Sequence, residues 1–182
     1  MDRMILLVDI DRCIRCHACE AACKQENNLP AGPRPVSVAT VGPRSIDGEL
    51  HQDFVFAACL HCDDPACMAV CTVGAISKGE DGLVVMDEAK CKSCCLCEAA
   101  CPFGAMHLRP DTKKAWKCNH CTDRVADGLP PSCVQHCAGG ALQYVTPEEL
   151  SGIRVGRHVV DLGKVCYVSE KWRLASPLSK QF

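Results

Sequence analysis

Sixteen of the eighteen cysteines in this 182-residue chain fall into four quartets with nearly regular spacing. They are Cys13-x2-Cys16-x2-Cys19-x3-Cys23, Cys59-x2-Cys62-x4-Cys67-x3-Cys71, Cys91-x2-Cys94-x2-Cys97-x3-Cys101 and Cys118-x2-Cys121-x11-Cys133-x3-Cys137. A fold built on this chain must turn three thiols of a short loop toward one point and set a fourth just beyond. That demand suits a cubane iron–sulfur cluster. Four quartets imply four [4Fe-4S] clusters, and four clusters in a chain this small imply electron conduction.

Two other uses of cysteine compete. Disulfides staple small secreted domains, but the N-terminal Met-Asp-Arg-Met-Ile-Leu-Leu-Val-Asp-Ile has too short an apolar run, with an acid inside it, for a secretory leader. Tetrathiolate zinc sites also use Cys-x2-Cys, but they draw two ligands from each of two separated knuckles. Quartets one and three place three cysteines at i, i+3 and i+6 with a fourth at i+10. In that iron–sulfur run the fourth cysteine ligates the neighbouring cluster of a pair. Quartet three also ends in Cys101-Pro102, the closure of the bacterial ferredoxin pattern. Cys95 and Cys166 fall outside the quartets and read as small buried hydrophobes, Cys95 pointing away from its neighbour's cluster.

Aromatic residues are only 4% of the chain, so inorganic groups are expected to fill part of the interior and folding to depend on their insertion. The formal charge of −2 counts every cysteine as neutral. Four thiolates around an oxidised cubane leave about two negative charges per site, which takes the loaded chain to about −10. Nucleic acid is thereby excluded as a partner. Arg12, Arg15, Lys24, Lys90, Lys92, Lys117 and Arg124 flank the quartets and either offset cluster charge or form a solvated face. No apolar segment reaches the length of a membrane span. The expectation is a cytoplasmic chain, or one exported beside a signal-bearing partner.

An internal repeat organises the chain. Cys71-Thr-Val-Gly-Ala-Ile matches Cys101-Pro-Phe-Gly-Ala-Met, and Ile5 to Cys13 matches Leu83 to Cys91 as an apolar strand, an acidic turn and a cysteine loop. Glu20-Ala-Ala-Cys23 and Glu98-Ala-Ala-Cys101 have good helix propensity. The predicted class is α+β, with two bacterial-ferredoxin-like modules of two [4Fe-4S] clusters each, one inserted in the other. Residues 54–108 form the inserted module, with a hairpin around Gly79–Gly82. Residues 1–53 and 109–150 form the outer one. The Pro/Gly-rich excursion 29–53 runs into that insert, and two β-capable runs, Val36–Val41 and Phe54–Phe56, predict a hairpin there. Thr122–Ser132 reads as a loop. Residues 151–182 form a tail that packs on the core or on a partner. Just before it, Thr146 reads as an N-cap with Pro147 in the first turn, and His158–Val160 and Val165–Val168 read as strands.

At this point the chain resembles a known family, the four-cluster iron–sulfur subunits of the molybdopterin oxidoreductases, as in dimethyl sulfoxide reductase, polysulfide reductase and formate dehydrogenase complexes. The residues that carry the resemblance are Cys16-His-Ala-Cys19, Ala22-Cys-Lys-Gln-Glu-Asn27, Leu60-His-Cys-Asp-Asp-Pro-Ala-Cys67, Cys101-Pro-Phe-Gly-Ala105 and Lys117-Cys-Asn-His-Cys-Thr-Asp-Arg124. Thr72 and Ala138 depart from it, standing where the family commonly has proline. The resemblance implies crossed ligand sets: Cys13, Cys16, Cys19 and Cys137; Cys23, Cys118, Cys121 and Cys133; Cys59, Cys62, Cys67 and Cys101; Cys71, Cys91, Cys94 and Cys97. His17, His61, His120 and His136 lie among these ligands but are surplus to sixteen thiolates, which leaves them hydrogen bonding around the clusters or plain exposure.

No dinucleotide loop, phosphate loop or nucleophile–base constellation stands out in the chain. The function this predicts is an electron relay and not an enzyme on its own. It would connect a molybdenum- or tungsten-pterin catalytic subunit, acting on formate, an aldehyde or an oxyanion, to a second redox partner such as a further redox subunit or a membrane anchor. A free-standing polyferredoxin and a hydrogenase-linked relay are the alternative readings.

Overall fold

Four apolar residues followed by an acid, Ile5–Asp9, open the chain as β1. The computed structural model describes residues 4–46 and 48–171. After β1 come α1 (Ala18–Glu26), then β2 (Val36–Ile46) and β3 (Glu49–Ala58), which form a long hairpin. Next are α2 (Ala66–Ala69), β4 (Ile76–Lys78), β5 (Val84–Met86), α3 (Leu96–Ala100), β6 (His107–Leu108) and β7 (Ala115–Trp116). The chain then forms α4 (Thr122–Ala126), α5 (Ser132–Gln135), β8 (Leu142–Val145), α6 (Pro147–Ile153), β9 (His158–Leu162) and β10 (Val165–Ser169).

The largest sheet has the order β8-β1-β10-β9, with β1 parallel to β10 and antiparallel to β8. A central strand covered on both faces needs apolar side chains at successive positions, and Leu6, Leu7 and Val8 are all buried. Alternation along the strands divides them. Leu6, Val8, Val165 and Tyr167 pack toward the cysteine loops. Leu7, Cys166 and Val168 pack with Val145 and with Leu150 of α6 on the opposite face. Helix α6 begins in a capping box: Thr146 accepts from the Glu149 amide, and the Glu149 carboxylate accepts from the Thr146 amide. The predicted N-cap and the two predicted strands of the tail are therefore present. Residues 172–182 of that tail lie outside the described residues.

Two segments differ from their sequence-based expectation. The hairpin of β2 and β3 is longer than the two runs that predict it, spanning Val36–Ile46 and Glu49–Ala58. Its register shifts between Val41 and Arg44. Gly42 sits there at φ +104°, and a Cβ on it would come within 2.8 Å of the His51 carbonyl, so the shift accepts glycine alone. Arg44 and Asp53 pair across the ribbon at 3.0 Å. The other difference lies in quartet four, where Thr122–Ala126 is helix α4 and not loop. Its Arg124 reaches out to Glu26 of α1 at 2.9 Å, an outside anchor that a helix this short needs.

Candidate metal centres

All four quartets turn the backbone in the same way. The residue just before the second cysteine is left-handed in each: Arg15 at φ 55°, His61 at 50°, Ser93 at 59° and His120 at 56°. Positive φ is uncommon outside glycine, so its recurrence at one motif position marks a shared loop design. The turn aims amides at sulfur. The Ser93 amide donates to Cys91 Sγ at 3.5 Å, and the His120 amide donates to Cys118 Sγ at 3.4 Å.

The last cysteine of each quartet has its own device. Cys71, Cys101 and Cys137 each accept from the amide four residues on, that of Ala75 at 3.2 Å, Ala105 at 3.4 Å and Ala141 at 3.2 Å. Gly74, Gly104 and Gly140 stand before those alanines at φ of 61°, 59° and 61°, which closes the turn. The motif is Cys-x-x-Gly-Ala, and its third copy, at Cys137, emerges only with the fold. Cys23 lacks it because α1 continues to Glu26. There the Asn27 side chain, also four residues on, approaches Cys23 Sγ at 3.8 Å while donating to the Cys23 carbonyl at 2.8 Å.

Four small cavities gather the cysteines. The first is lined by Cys13, Cys16, Cys19 and Cys137, and the second by Cys23, Cys118, Cys121 and Cys133. The third is lined by Cys59, Cys62, Cys67 and Cys101. Cys71, Cys91, Cys94 and Cys97 line the fourth, and Cys95 borders it as well, its thiol donating to the Ser93 carbonyl at 3.5 Å. Packed helix pairs carry the crossing. Helix α1 packs on α5, and between them they supply thiols to the first two cavities. Helix α2 packs on α3, serving the third and fourth in the same way.

These thiols are poor acids as they stand. Burial pushes Cys19 and Cys118 up to about 12 and Cys97 up to about 11. It raises Cys133 well above the ordinary thiol range, and the Cys118, Cys121 and Cys23 thiols crowded around it add to the effect. A set of this kind becomes thiolate when a cation takes the protons' place. Four converging sulfurs match the donor set of an iron–sulfur cubane, and the quartet spacing separates them from a two-knuckle zinc site.

The cavities form a row. Cys19 and Cys23 join the first to the second along α1. Cys59 lies close enough to Cys118 to raise its thiol, joining second to third. Cys101 packs against the apolar clusters of both the third and the fourth. At the two ends, Cys16 and Cys94 are the exposed members.

Of the flanking cations, Lys117 alone is fully buried, at 4% exposure, between the second and third cavities. Its ammonium donates to the carbonyls of Val84 and Cys118. Arg12 lies against Gly139 and Gly140, Lys24 caps the Pro30 carbonyl at 2.8 Å, Lys90 pairs with Asp87, and Arg15 sits 5.6 Å above the Phe54 ring. The histidines divide too. His17 is exposed beside Glu20, and His136 meets the Ser132 carbonyl. His61 and His120 are buried with their rings 4.4 Å apart. Burial, reinforced by Lys117, holds both below the usual imidazole range, His120 down to about 3.

Comparison with known proteins gives a consistent result. The 4Fe-4S dicluster domain family matches residues 50–146. The chain is 41% identical over 145 residues to the thiosulfate reductase electron transfer subunit PhsB of Salmonella typhi, covering 79% of this chain and 76% of that one. It is 38% identical to a tetrathionate reductase subunit of Salmonella typhimurium, covering 76% and 56% respectively. Against an anaerobic dimethyl sulfoxide reductase component of Escherichia coli the identity is 40%, over 79% of this chain and 73% of the other.

Proposed function

Because the chain belongs to the iron–sulfur subunits of the molybdopterin oxidoreductase family, with a ferredoxin-like 4Fe-4S dicluster domain, we propose that it relays electrons through four [4Fe-4S] clusters. It is the electron-transfer component of a reductase complex and not a free-standing enzyme. The observation that carries the reading is the row of four cavities, each lined by at least four cysteines drawn from more than one quartet. The ligand sets are Cys13, Cys16, Cys19 and Cys137; Cys23, Cys118, Cys121 and Cys133; Cys59, Cys62, Cys67 and Cys101; Cys71, Cys91, Cys94 and Cys97. The α1–α5 and α2–α3 pairs support two ferredoxin-like modules, the second inserted in the first.

When bound, each cluster would take up and release one electron at a time. The chain's own groups hold and tune it. Sixteen thiols supply the cages, and the Ala75, Ala105 and Ala141 amides donate to Cys71, Cys101 and Cys137 and so offset negative charge at sulfur. Lys117 adds one buried positive charge midway along the row. Exposed Cys16 and Cys94 leave the two ends of the row open to partners, one at each end.

One partner is a large catalytic subunit with a molybdenum or tungsten pterin. Relatives named for thiosulfate, tetrathionate and dimethyl sulfoxide favour a small oxyanion or sulfoxide over formate or an aldehyde as its substrate. No helix among the described residues is long and apolar enough to cross a membrane. Anaerobic purification with metal and sulfide analysis tests the relay: about sixteen irons and sixteen labile sulfides per chain are expected. A zinc-loaded chain, or one with half that iron, overturns the four-cluster reading. Recovery of a pterin-bearing chain in fixed stoichiometry is the expected partner result, whereas a loaded chain that purifies alone is a diffusible carrier.

A further inference from the structure

His120 lines the second cavity and His61 the third, and their rings touch edge to face across the wall between them. Their exposures are 2% and 1%. Buried imidazoles ordinarily satisfy their ring nitrogens, and of the four here one is satisfied. The Val84 amide donates to His61 Nδ1 at 2.9 Å, which places the ring proton on Nε2. That Nε2 has no hydrogen-bond partner among the described residues, and neither ring nitrogen of His120 has one. The Cys118 carbonyl lies near the His61 ring and accepts from Lys117 at 2.9 Å, but it is not within hydrogen-bond geometry of Nε2. A ring nitrogen of each histidine and Cys118 Sγ lie within 4.8 Å of one another.

Two histidines with unpartnered ring nitrogens therefore lie beside one thiol at the seam between two cavities. A donor left unpaired in a dry interior costs about 1 to 3 kcal/mol, so a buried pair of them calls for an acceptor. A thiolate and the inorganic sulfides beside it are acceptors that become stronger as electron density is added. The alternative, a separate ion held by His61, Cys118 and His120, would compete for a sulfur that the second cavity needs.

We infer that His61 and His120 are positioning residues that donate ring N–H hydrogen bonds to the Cys118 thiolate and to the sulfides flanking it, raising the reduction potentials of the two inner clusters where the row passes from one helix pair to the other. This rests on the assignment of clusters to the cavities. The donors stabilise the reduced form more than the oxidised one, so the inner clusters retain an electron more readily than unassisted ones would. Lys117, buried beside the Cys118 carbonyl, adds a donor at the same seam.

The test uses the loaded full-length chain and its His61→Phe, His120→Phe and His120→Gln variants, each quantified for iron and titrated under spectroelectrochemical control with EPR detection. Phenylalanine fills the volume without an N–H, and glutamine keeps a donor. Each Phe variant is expected to shift at least one cluster's one-electron equilibrium tenfold or more toward the oxidised form, about 59 mV lower. His120→Gln should stay within threefold of the parent. In the parent chain with 15N-histidine, pulsed EPR of the reduced clusters should show histidine nitrogen coupling. Unchanged potentials in fully loaded Phe variants overturn the inference. So does the absence of 15N coupling in the parent, a result obtained even where the variants fail to assemble. A non-iron metal bound in equal amount and lost with the histidines overturns it in favour of an ion site. A parent chain without clusters overturns the functional reading as well, which separates the two failures.

Discussion

The Lys164 amide donates to the Leu60 carbonyl at 2.7 Å, so the turn between β9 and β10 is fastened to the loop that carries Cys59 and Cys62. Gly163, at φ +59°, makes the approach possible, because a Cβ there would stand 2.2 Å from the same carbonyl. The carboxy-terminal hairpin thus clamps the loops of the third cavity while its strand β10 pairs with β1.

Gly163→Ala should lower the stability of the loaded chain by about 2 to 5 kcal/mol, combining left-handed strain with a clash that only backbone movement relieves. Gly104→Ala is the control. Its φ is +59° but nothing lies within 4 Å of the added carbon, so strain alone applies, about 1 to 2 kcal/mol. Parallel urea unfolding of the two variants checks this, and equal losses would show that the contact with Leu60 is slack.

Cys94 and Cys95 are adjacent, but only one is assigned as a ligand. Cys94→Ser should reduce bound iron by up to about four atoms per chain and alter the EPR signal of one cluster. Cys95→Ser should leave both unchanged, since that thiol is occupied with the Ser93 carbonyl. Iron assay and EPR of the two chains decide it; iron loss in the Cys95 variant would mean that the fifth cysteine at the fourth cavity binds.

Cys166, outside every cavity, gives a pH dependence free of metal chemistry. Burial pushes its thiol from 9.0 up to about 12, and the neighbouring Asp161 carboxylate adds to the rise. An acid raised in the folded state favours folding fully below its unfolded value and loses that contribution as pH climbs toward the folded one. Stability should therefore fall from pH 9 toward 12, and burial of Tyr167 adds in the same direction from its ordinary 10.0 upward. Urea midpoints measured across about pH 8 to 10.5 should decline more gently for Cys166→Ala than for the parent. Parallel slopes would place the alkaline loss elsewhere.

Removal of the clusters with acid and chelator should leave a chain without cooperative unfolding. With 4% aromatic residues, much of the main core is cysteine: Cys19, Cys23, Cys59, Cys118 and Cys133 belong to it together with Leu6, Val8 and Phe56. Without inorganic cores the space they enclose would be void. Scattering and near-ultraviolet dichroism should report expansion and lost tertiary signal; a compact, cooperatively melting apo-chain would refute this.

The cysteine loops are legible in sequence because residue type and spacing recur together, and the same spacing reappears as four cysteine-lined cavities. The two copies of Cys-x-x-Gly-Ala at Cys71 and Cys101 can be read from residue identity. The third, Cys137-Ala-Gly-Gly-Ala141, is hidden by its extra glycine, although Gly140 and Ala141 hold the decisive places. Thr146 with Pro147 announces α6 because capping is local chemistry. Helix α4 is not legible, because five residues are too few to show a period and Gly128-Leu-Pro-Pro dominates the segment. The pairing of β1 with β10 joins residues 6–9 to 165–168, a relation that no local pattern encodes. The contact between His61 and His120 is hidden for the same reason: counting thiols makes each surplus as a ligand, but only the folded chain brings their rings together.

The order of the cysteines along the polypeptide has a consequence for biogenesis. Translation proceeds from low numbers to high, so each set closes when its last member emerges: Cys97 for the fourth cavity, Cys101 for the third, Cys133 for the second and Cys137 for the first. That succession is also their spatial order from one end of the row to the other. A nascent chain can thus complete its sites one neighbour at a time, each new cage forming against a wall already in place, with strand β10 arriving last to seal the sheet.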